Sequence, residues 1–461
     1  MSMKQQANRL LARLGAATLA LGLVAGAASA DRIAVVGGTA YTKGGSGKVE
    51  NATILVNDGI IESVESGGDV PPGYSTVDAD GKWVTVGLMA PMTTLGMGEV
   101  SLSAGINDAR VKKAESPLAL DATHAINPDS TLIKVTRMEG VTRAVTGFAG
   151  TGSMWQGQGS VITLGDGPDL VVRPRAYVGL DISEGAASAE GGSRAALWQK
   201  LIHKLTTARK ARRKKSGDDA TEKADGCQKC QKMGEKMGKK GGKPGKKKGK
   251  KGGNGLKAEK EALDRLLAGE VPLVVTAHRA SDIRQALALK SRFGLKVILK
   301  DAEEGWRVAD DIAAAGVPVI LDSMANLPSS FETLGATQQN AARLHRAGVT
   351  IAFLSGGVGG SHNTRLLPQF AGNAVAHGLP WEAAMDAMTV NVAEMFGVAD
   401  SYGTLEPGKV ADIVVWNGDP MEVMTSPDAV MIAGRNLPLE SRQTKLRDRY
   451  LEIDRSPAYD H

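Results

Sequence analysis

The strongest constraint on the fold is a regular alternation of strand-like and helix-like sequence between Val271 and Asp400. Short β-branched runs, such as "VPLVVTAH", "LKVILKD", "VPVILDS" and "VTIAFLS", are followed by amphipathic stretches. Several of these stretches end in glycine, which readily adopts the left-handed conformation that ends a helix: Gly294, Gly316, Gly348 and Gly378. Apolar strands alternating with helices are typical of a parallel sheet covered on both faces. The pattern predicts an α/β fold, either a (β/α) barrel or a doubly wound sheet.

The two ends of the chain are rich in β-type sequence instead. "NATILVNDGIIESVE" (51–65) predicts a hairpin that turns at Asn57, Asp58 and Gly59. "GTLEPGKVADIVVWNGDP" (403–420) predicts a second hairpin, with its turn at residues 407–409. Two β-rich ends around an α/β centre predict that the termini meet in one small β-domain beside the central unit.

The first thirty residues have the pattern of a signal peptide. Lys4, Arg9 and Arg13 form a positive region, "LGAATLALGLVAG" is a short apolar core, and Ala28-Ser29-Ala30 fits a cleavage site. The alternative is an uncleaved membrane anchor. We expect a periplasmic or secreted protein whose mature form starts near Asp31.

A basic tract interrupts the central unit. The chain has a net charge of +6, but residues 209–251 alone hold 18 Lys/Arg and 5 Asp/Glu, so the rest of the mature chain is acidic. Residues 210–255 are poor in aliphatic side chains, which predicts a disordered Lys/Gly-rich insertion between two helices within the barrel. Such a loop could contact anionic envelope surfaces, whereas its lack of aromatic residues disfavours nucleic acid. Cys227 and Cys230 within it predict a local disulfide, with a soft-metal site as the alternative.

These motifs together resemble the amidohydrolase superfamily, in particular its secreted imidazolonepropionase-like and prolidase-like branch. The hairpin at 51–65, "GKWVTVGLM" before the first barrel strand and "GTLEPGKVADIVVWNGDP" carry the resemblance. It implies a TIM-like (β/α)8 barrel with a small composite β-sandwich, hydrolysis of C–N bonds at a divalent metal, and a habit of forming dimers. The expected domains are the signal peptide (1–30), the sandwich (31–86 with 403–440), the barrel (87–402) and a tail (441–461).

The metal ligands that the resemblance implies are largely replaced. The family has a His-x-His after strand one, a histidine on strand five, a ligand on strand six and an aspartate on strand eight. This sequence has other residues there, with one carboxylate among them: Met92, Thr94, Thr276, Asp301 and Gly356. A thioether and hydroxyls are poor ligands for the divalent ions concerned. We therefore expect no cofactor, and zinc if the site has been rebuilt.

A few polar residues at predicted strand ends remain as candidates for chemistry. His278, Asp301 and His362 are the candidate catalytic residues, and they would also form the rebuilt site. His278 could equally be a histidine hydrogen-bonded within the barrel mouth. Candidate ligand-binding residues lie beside these positions, where an ordinary polar loop is the alternative: Arg279, Ser355, Asn363 and Arg365.

Three functions therefore follow from the sequence. The first is a pseudoenzyme without its metal centre, which binds a small molecule or serves as the partner of an active paralogue. The second is an active hydrolase with a rebuilt or metal-independent site. The third is an envelope-binding protein that acts through the basic loop.

Overall fold

The computed structural model describes residues 32–44, 46–99, 107–216, 253–355 and 361–451. The predicted signal peptide, Cys227 and Cys230 with most of the basic insertion, Gly356 and the end of the C-terminal tail lie outside the described residues. Within the described ranges, no helix combines the length and apolar character needed to cross a bilayer.

One sheet joins the two ends of the chain. Its main strand order is β16-β15-β14-β5-β1-β2-β3, with β4 paired to β1. The contact between the termini is the antiparallel pair β5 and β14, in which Val86 lies opposite Ile413. The strands are β1 (Arg32–Lys43), β2 (Ser46–Asn57), β3 (Ile60–Ser66), β4 (Ser75–Asp78), β5 (Trp83–Val86), β14 (Ile413–Trp416), β15 (Pro427–Ile432) and β16 (Arg435–Leu437).

Of the two predicted hairpins, the first is confirmed and the second is wrong. β2 and β3 pair around Asp58 and Gly59, whose φ angles of 49° and 77° suit a tight hairpin turn. In the second segment, β14 pairs with β5 and β15 rather than with residues just before it. The local turn was visible in the sequence, but the strand's partners come from distant parts of the chain.

The second sheet is a nearly closed barrel of eight strands in chain order, β6 to β13. The predicted fold class, a TIM-like barrel with a composite β-sandwich, is confirmed. The barrel strands are β6 (Leu88–Thr93), β7 (Val141–Thr146), β8 (Trp155–Thr163), β9 (Val171–Asp181), β10 (Leu273–Ala277), β11 (Val297–Asp301), β12 (Val319–Leu321) and β13 (Ile351–Phe353).

The barrel departs from an all-parallel (β/α)8 pattern at its third strand. β8 runs antiparallel to both β7 and β9. The segments before and after β8 (147–154 and 164–170) are too short for a crossover helix, which a parallel neighbour would require. A short connection between neighbouring strands therefore reverses the chain.

Helices cover the outside of the barrel, and several end in the predicted glycines: α5 ends at Gly294, which has a φ of 71°. The helices before and after the basic insertion, α3 and α4, are also where the sequence predicts them. The helices are α1 (Thr131–Arg137), α2 (Glu184–Ala189), α3 (Arg194–Ser216), α4 (Gly253–Leu267), α5 (Ala280–Phe293), α6 (Ala309–Ala314), α7 (Asn340–Arg346), α8 (Leu367–Ala376), α9 (Trp381–Ala387), α10 (Val390–Met395) and α11 (Arg442–Leu451).

The barrel interior is filled by one apolar layer to which every strand contributes. The layer consists of Met89, Val145, Val161, Tyr177, Val274, Ile298, Ile320 and Ala352, all of them buried. The Tyr177 ring lies so close to Gly159 that a Cβ there would come within 2.1 Å of it. This layer closes the barrel below the carboxyl ends of its strands, so an internal cavity can open only above it.

A buried ion pair fastens the barrel to the sandwich. Arg143 on β7 donates two hydrogen bonds to Asp412, from Nε to Oδ2 (2.5 Å) and from Nη2 to Oδ1 (2.8 Å). The side chains are only 5% and 3% exposed. Nearby, the Trp416 ring packs against Gly140, where an added Cβ would come within 2.3 Å of the ring. The two domains therefore meet through fitted contacts near the amino ends of the barrel strands.

Candidate functional site

A cavity of about 610 Å³ lies at the carboxyl ends of the barrel strands. This is the end at which barrel proteins build their sites, and the volume suits a small organic ligand. Side chains from several strand ends line it, among them Asp181 on β9, Thr276 on β10, Lys300 and Asp301 on β11, and Asp322 after β12.

An ammonium group lies where the strand ends converge. Parallel pairing places Thr276 opposite both Asp181 and Lys300, so the three residues share one level of the barrel. Lys300 Nζ donates to Asp301 Oδ2 at 2.7 Å. Burial on its own lowers the pKa of Lys300, but the charges of Asp301, Asp181 and Glu303 outweigh it and raise the pKa above its ordinary value. Lys300 is thus a fixed cation inside the cavity.

His278 forms a second buried ion pair in the cavity. Its Nδ1 lies 2.7 Å from Glu303 Oε2. The loop after β11 is held against the end of β10, because the backbone N–H of Ala302 donates to Ala277 and that of Glu304 to His278. Burial lowers the pKa of His278, but the hydrogen bond and charge of Glu303 raise it to about 9. His278 is therefore an imidazolium at neutral pH.

Two further carboxylates in the cavity form no ion pair within the described part of the chain. Asp181 Oδ1 accepts from the backbone N–H of Ser183, and Asp322 Oδ1 from that of Met324, each at 2.8 Å. Burial, and after it the charges of Asp301 and Glu303, raise the pKa of Asp322. Negative charge is therefore concentrated at this end of the barrel.

Two hydroxyls in the cavity wall have no hydrogen-bond partner among the residues that the structure describes. Ser355, after β13, is 8% exposed, and Thr364, in the 3-10 helix Ser361–Leu366, is fully buried. Ser355 Oγ and Thr364 Oγ1 are both unsatisfied, although the neighbouring hydroxyls of Thr94 and Ser361 bond to each other. A buried hydroxyl without a partner is destabilising, so both groups are suited to bonding a ligand.

The backbone is strained at two of the strand ends that form the cavity. Met92 has a φ of 54°, and the consecutive residues Asp301 and Ala302 have φ angles of 72° and 50°. Residues other than glycine rarely adopt these angles, and the cost is about 1–3 kcal/mol each. Strain of this kind is concentrated at functional sites, and here it directs the Asp301 carboxylate towards Lys300.

The structure brings six of the sequence candidates together in the cavity: Met92, Thr94, Thr276, His278, Asp301 and Ser355. Arg279 lies outside the lining, because its guanidinium forms a two-bond pair with Asp282. In the 3-10 helix after β13, Ser361 and Thr364 line the cavity, whereas His362, Asn363 and Arg365 do not. The trio of His278, Asp301 and His362 is therefore not assembled around this cavity.

Sequence reasoning missed Lys300, Glu303, Asp181 and Asp322. The signal for Lys300 was available in "VILKD": it stands two residues after the inward-facing Ile298, and strand residues two apart share a face. The same spacing places Asp322 after Ile320 and Thr276 after Val274.

The groups at the strand ends do not fit a divalent metal ion. A thioether (Met92), two hydroxyls (Thr94 and Thr276) and an ammonium (Lys300) stand where neutral imidazoles and carboxylates would be needed. Within the residues that the structure describes, no group of three or more His, Cys, Asp or Glu side chains is placed to hold a metal.

Comparison with known proteins gives matches to part of the chain. The Amidohydrolase family model matches residues 294–437. An imidazolonepropionase from Geobacillus kaustophilus is 36% identical over 121 residues, which are 26% of this chain and 27% of that protein. The imidazolonepropionase of Aromatoleum aromaticum is 35% identical over 165 residues, covering 35% and 39% of the two chains. These matches support a place for the chain in the amidohydrolase superfamily. The matches span only about a quarter to two fifths of these curated relatives.

Solved amidohydrolase structures share the fold over most of the chain. An amidohydrolase from Thermotoga maritima superimposes with a TM-score of 0.73 at 21% identity, covering 88% of this chain and 99% of that one. Molinate hydrolase gives 0.51 at 17% identity over 94% and 98% of the two chains. At such identities the likeness concerns architecture, and the chemistry depends on this chain's own residues.

Proposed function

We propose that this amidohydrolase-superfamily protein is a pseudoenzyme: it has lost the family's metal centre and uses the barrel mouth to bind a small ligand. The observation that carries the proposal is Lys300, whose ammonium occupies the ring of strand ends and is bonded to Asp301. The ammonium engages the Asp301 carboxylate and has no lone pair to offer a metal ion, so this strand end supplies no metal ligand.

The state of His278 supports the same function. A histidine binds a metal or accepts a proton through a neutral nitrogen. Because Glu303 raises the pKa of His278 to about 9, the imidazole is protonated at neutral pH and offers no free acceptor. His278 is thus suited to holding negative charge in place rather than to activating water.

An active hydrolase with a rebuilt site is less well supported. That site would need His278, Asp301 and His362 around one reacting group, yet His362 does not line the cavity. Asp301 is engaged by Lys300. Neither group is placed to act as a free general base.

The proposal includes a periplasmic location, for which the support is the sequence pattern of residues 1–30. A homodimer, or a pair formed with an active paralogue, would suit a catalytically silent superfamily member. Contact of the basic insertion with anionic envelope surfaces would add to this function, since residues 209–251 hold 18 Lys/Arg against 5 Asp/Glu.

Metal analysis and hydrolysis assays test the loss of the metal centre. We expect the purified mature protein, after dialysis, to contain much less than one zinc per chain by elemental mass spectrometry. Dipeptides and cyclic amides should be hydrolysed no faster by this protein than by a variant carrying both His278→Ala and His362→Ala. About one tightly bound metal per chain, lost in His278→Ala, would contradict the proposal, as would hydrolysis that depends on His278.

A further inference from the structure

The charges that line the cavity are not balanced. Among the described lining residues, five carboxylates face three cations, which leaves two negative charges in excess. The carboxylates are Glu99, Asp181, Asp301, Glu303 and Asp322, and the cations are Arg110, His278 and Lys300. His278 and Lys300 already pair with Glu303 and Asp301, which leaves Glu99, Asp181 and Asp322 against Arg110. Of these three carboxylates, Asp181 and Asp322 are the two that lie at the ends of barrel strands.

The unsatisfied hydroxyls lie beside this excess charge. The backbone N–H of Leu354 donates to Leu321 at 2.8 Å, which holds the ends of β12 and β13 side by side. Asp322 and Ser355 follow these two residues directly, and both line the cavity. A ligand whose charged group lies at Asp322 can therefore place a second polar atom near Ser355 and Thr364.

We propose that the cavity binds a small organic cation, with an ammonium or guanidinium group at Asp181 and Asp322 and a hydrogen-bonding group at Ser355 and Thr364. The inference rests on the ligand-binding part of the proposed function, and it names the chemical class of the ligand. Each carboxylate can accept a hydrogen bond from an ammonium or guanidinium group, because among the described residues its only hydrogen-bond partner is a single backbone N–H.

Other occupants suit the cavity less well. An anion would meet the excess negative charge. A neutral molecule could bond the hydroxyls but would leave the carboxylates uncompensated. A tightly bound zinc ion would need at least three suitable protein ligands, and the described part of the chain holds no such group. A compact amine with a polar tail satisfies both the charge and the unpartnered hydroxyls.

Calorimetry on the purified mature chain can test the ligand class with matched probes. The cations are 1,4-diaminobutane, 4-amino-1-butanol and agmatine, and the neutral and anionic controls of similar size are 1,4-butanediol and butyrate. We expect the cations to bind, with affinity that falls as salt is added, and the controls to give no heat of binding. Asp181→Asn and Asp322→Asn should each weaken binding by about tenfold, since each removes a charged acceptor.

A matched control tests whether the loss of affinity is specific to carboxylates in the cavity. Asp310→Asn removes one negative charge from an exposed position at the start of α6 and should leave affinity unchanged. Ser355→Ala should weaken 4-amino-1-butanol more than it weakens an alkyl amine of the same length without the hydroxyl. Equal losses from Asp310→Asn and Asp322→Asn would overturn the proposal, because the attraction would then be non-specific.

The outcomes separate this inference from the pseudoenzyme proposal. If no cation binds and no hydrolysis is detected, the ligand class is wrong and the loss of catalysis stands. Cation binding by a protein that also hydrolyses amides in a His278-dependent way would support the ligand class and refute the pseudoenzyme. Displacement of the bound amine by one equivalent of zinc would support the ligand class and refute the loss of the metal centre.

Discussion

Two sets of buried charges, one at each end of the barrel, are built in different ways. Where the barrel meets the sandwich, one cation faces one anion, and both Asp412 oxygens are satisfied: Oδ1 by Arg143 and the backbone N–H of Ala433, Oδ2 by Arg143 and the Thr142 hydroxyl. Tyr402 covers the Arg143 guanidinium at 4.3 Å. This site is complete without any other molecule.

The cavity at the other end of the barrel is incomplete, because its charges are not matched and some of its polar groups are not satisfied. Among the described residues, its carboxylates outnumber its cations and the Ser355 and Thr364 hydroxyls have no partner, and Asp301 is held at a strained φ. Folding alone would favour matched charges and satisfied hydroxyls, as it does at Arg143 and Asp412. The difference indicates that the cavity is shaped for something that binds there, and four predictions test this contrast.

Breaking the ion pair between Arg143 and Asp412 should have the largest effect on the free energy of unfolding. Asp412→Ala leaves the buried Arg143 guanidinium without its partner, and we expect a loss of about 3–5 kcal/mol in the free energy of unfolding. Urea denaturation measures it. Asp428→Ala is the control, because its pair with Lys82 is about a third exposed and should contribute less than about 1 kcal/mol. Similar losses from both variants would show that Arg143 and Asp412 are not a closed structural pair.

The pair of His278 and Glu303 predicts a pH dependence in the incomplete site. Because the pKa of His278 is raised to about 9 in the fold, its contribution to stability is complete below about pH 6.5 and is lost as the pH rises through 9. The contribution is up to about 3 kcal/mol. Between about pH 6 and pH 10, the wild type should lose more unfolding free energy than His278→Gln.

Direct titration of His278 by NMR checks the same prediction without unfolding the protein. The charged groups that face the imidazole are Glu303, Asp301 and Glu332. A midpoint near the ordinary histidine value of about 6.5 would contradict the imidazolium assignment.

Removing the Lys300 ammonium should increase the excess of negative charge in the cavity. Lys300→Met deprives Asp301, Asp181 and Glu303 of an ammonium, and we expect a loss of about 1–3 kcal/mol in stability. Added manganese or zinc should raise the melting temperature of this variant but not that of the wild type, since the carboxylates then attract a divalent ion. Lys300→Arg, which keeps the charge, is the control. A metal-induced rise in the melting temperature of the wild type would show that Lys300 does not prevent metal binding.

The smallest predicted effect compares two buried threonines. Thr146 Oγ1 donates to the backbone carbonyl of Leu95 at 2.8 Å, whereas Thr364 Oγ1 has no partner. Thr146→Val should cost about 1–2 kcal/mol, and Thr364→Val should be neutral or stabilising by up to about 1 kcal/mol. Thermal unfolding of the ligand-free protein measures both. A clear loss from Thr364→Val would mean that its hydroxyl is already satisfied without a ligand.

The sequence by itself determined the architecture and the replacement of the family's ligand residues. Alternating strands and helices, the glycines that end helices and the turn at Asp58 and Gly59 are local signals, since each depends on residues close together in the chain. Met92, Thr94 and Thr276 could be read from motif positions for the same reason.

Tertiary structure decided which polar groups meet. His362 and Arg279 follow strand ends, as cavity residues do, but helix geometry and the pair with Asp282 leave them outside the lining. The reversal of β8, the pairing of β14 with β5, and the convergence of Lys300, Asp181 and Asp322 depend on strands brought together from distant parts of the chain. Charge balance is a property of that convergence, because Coulomb interactions depend on distance in space and not on separation along the sequence.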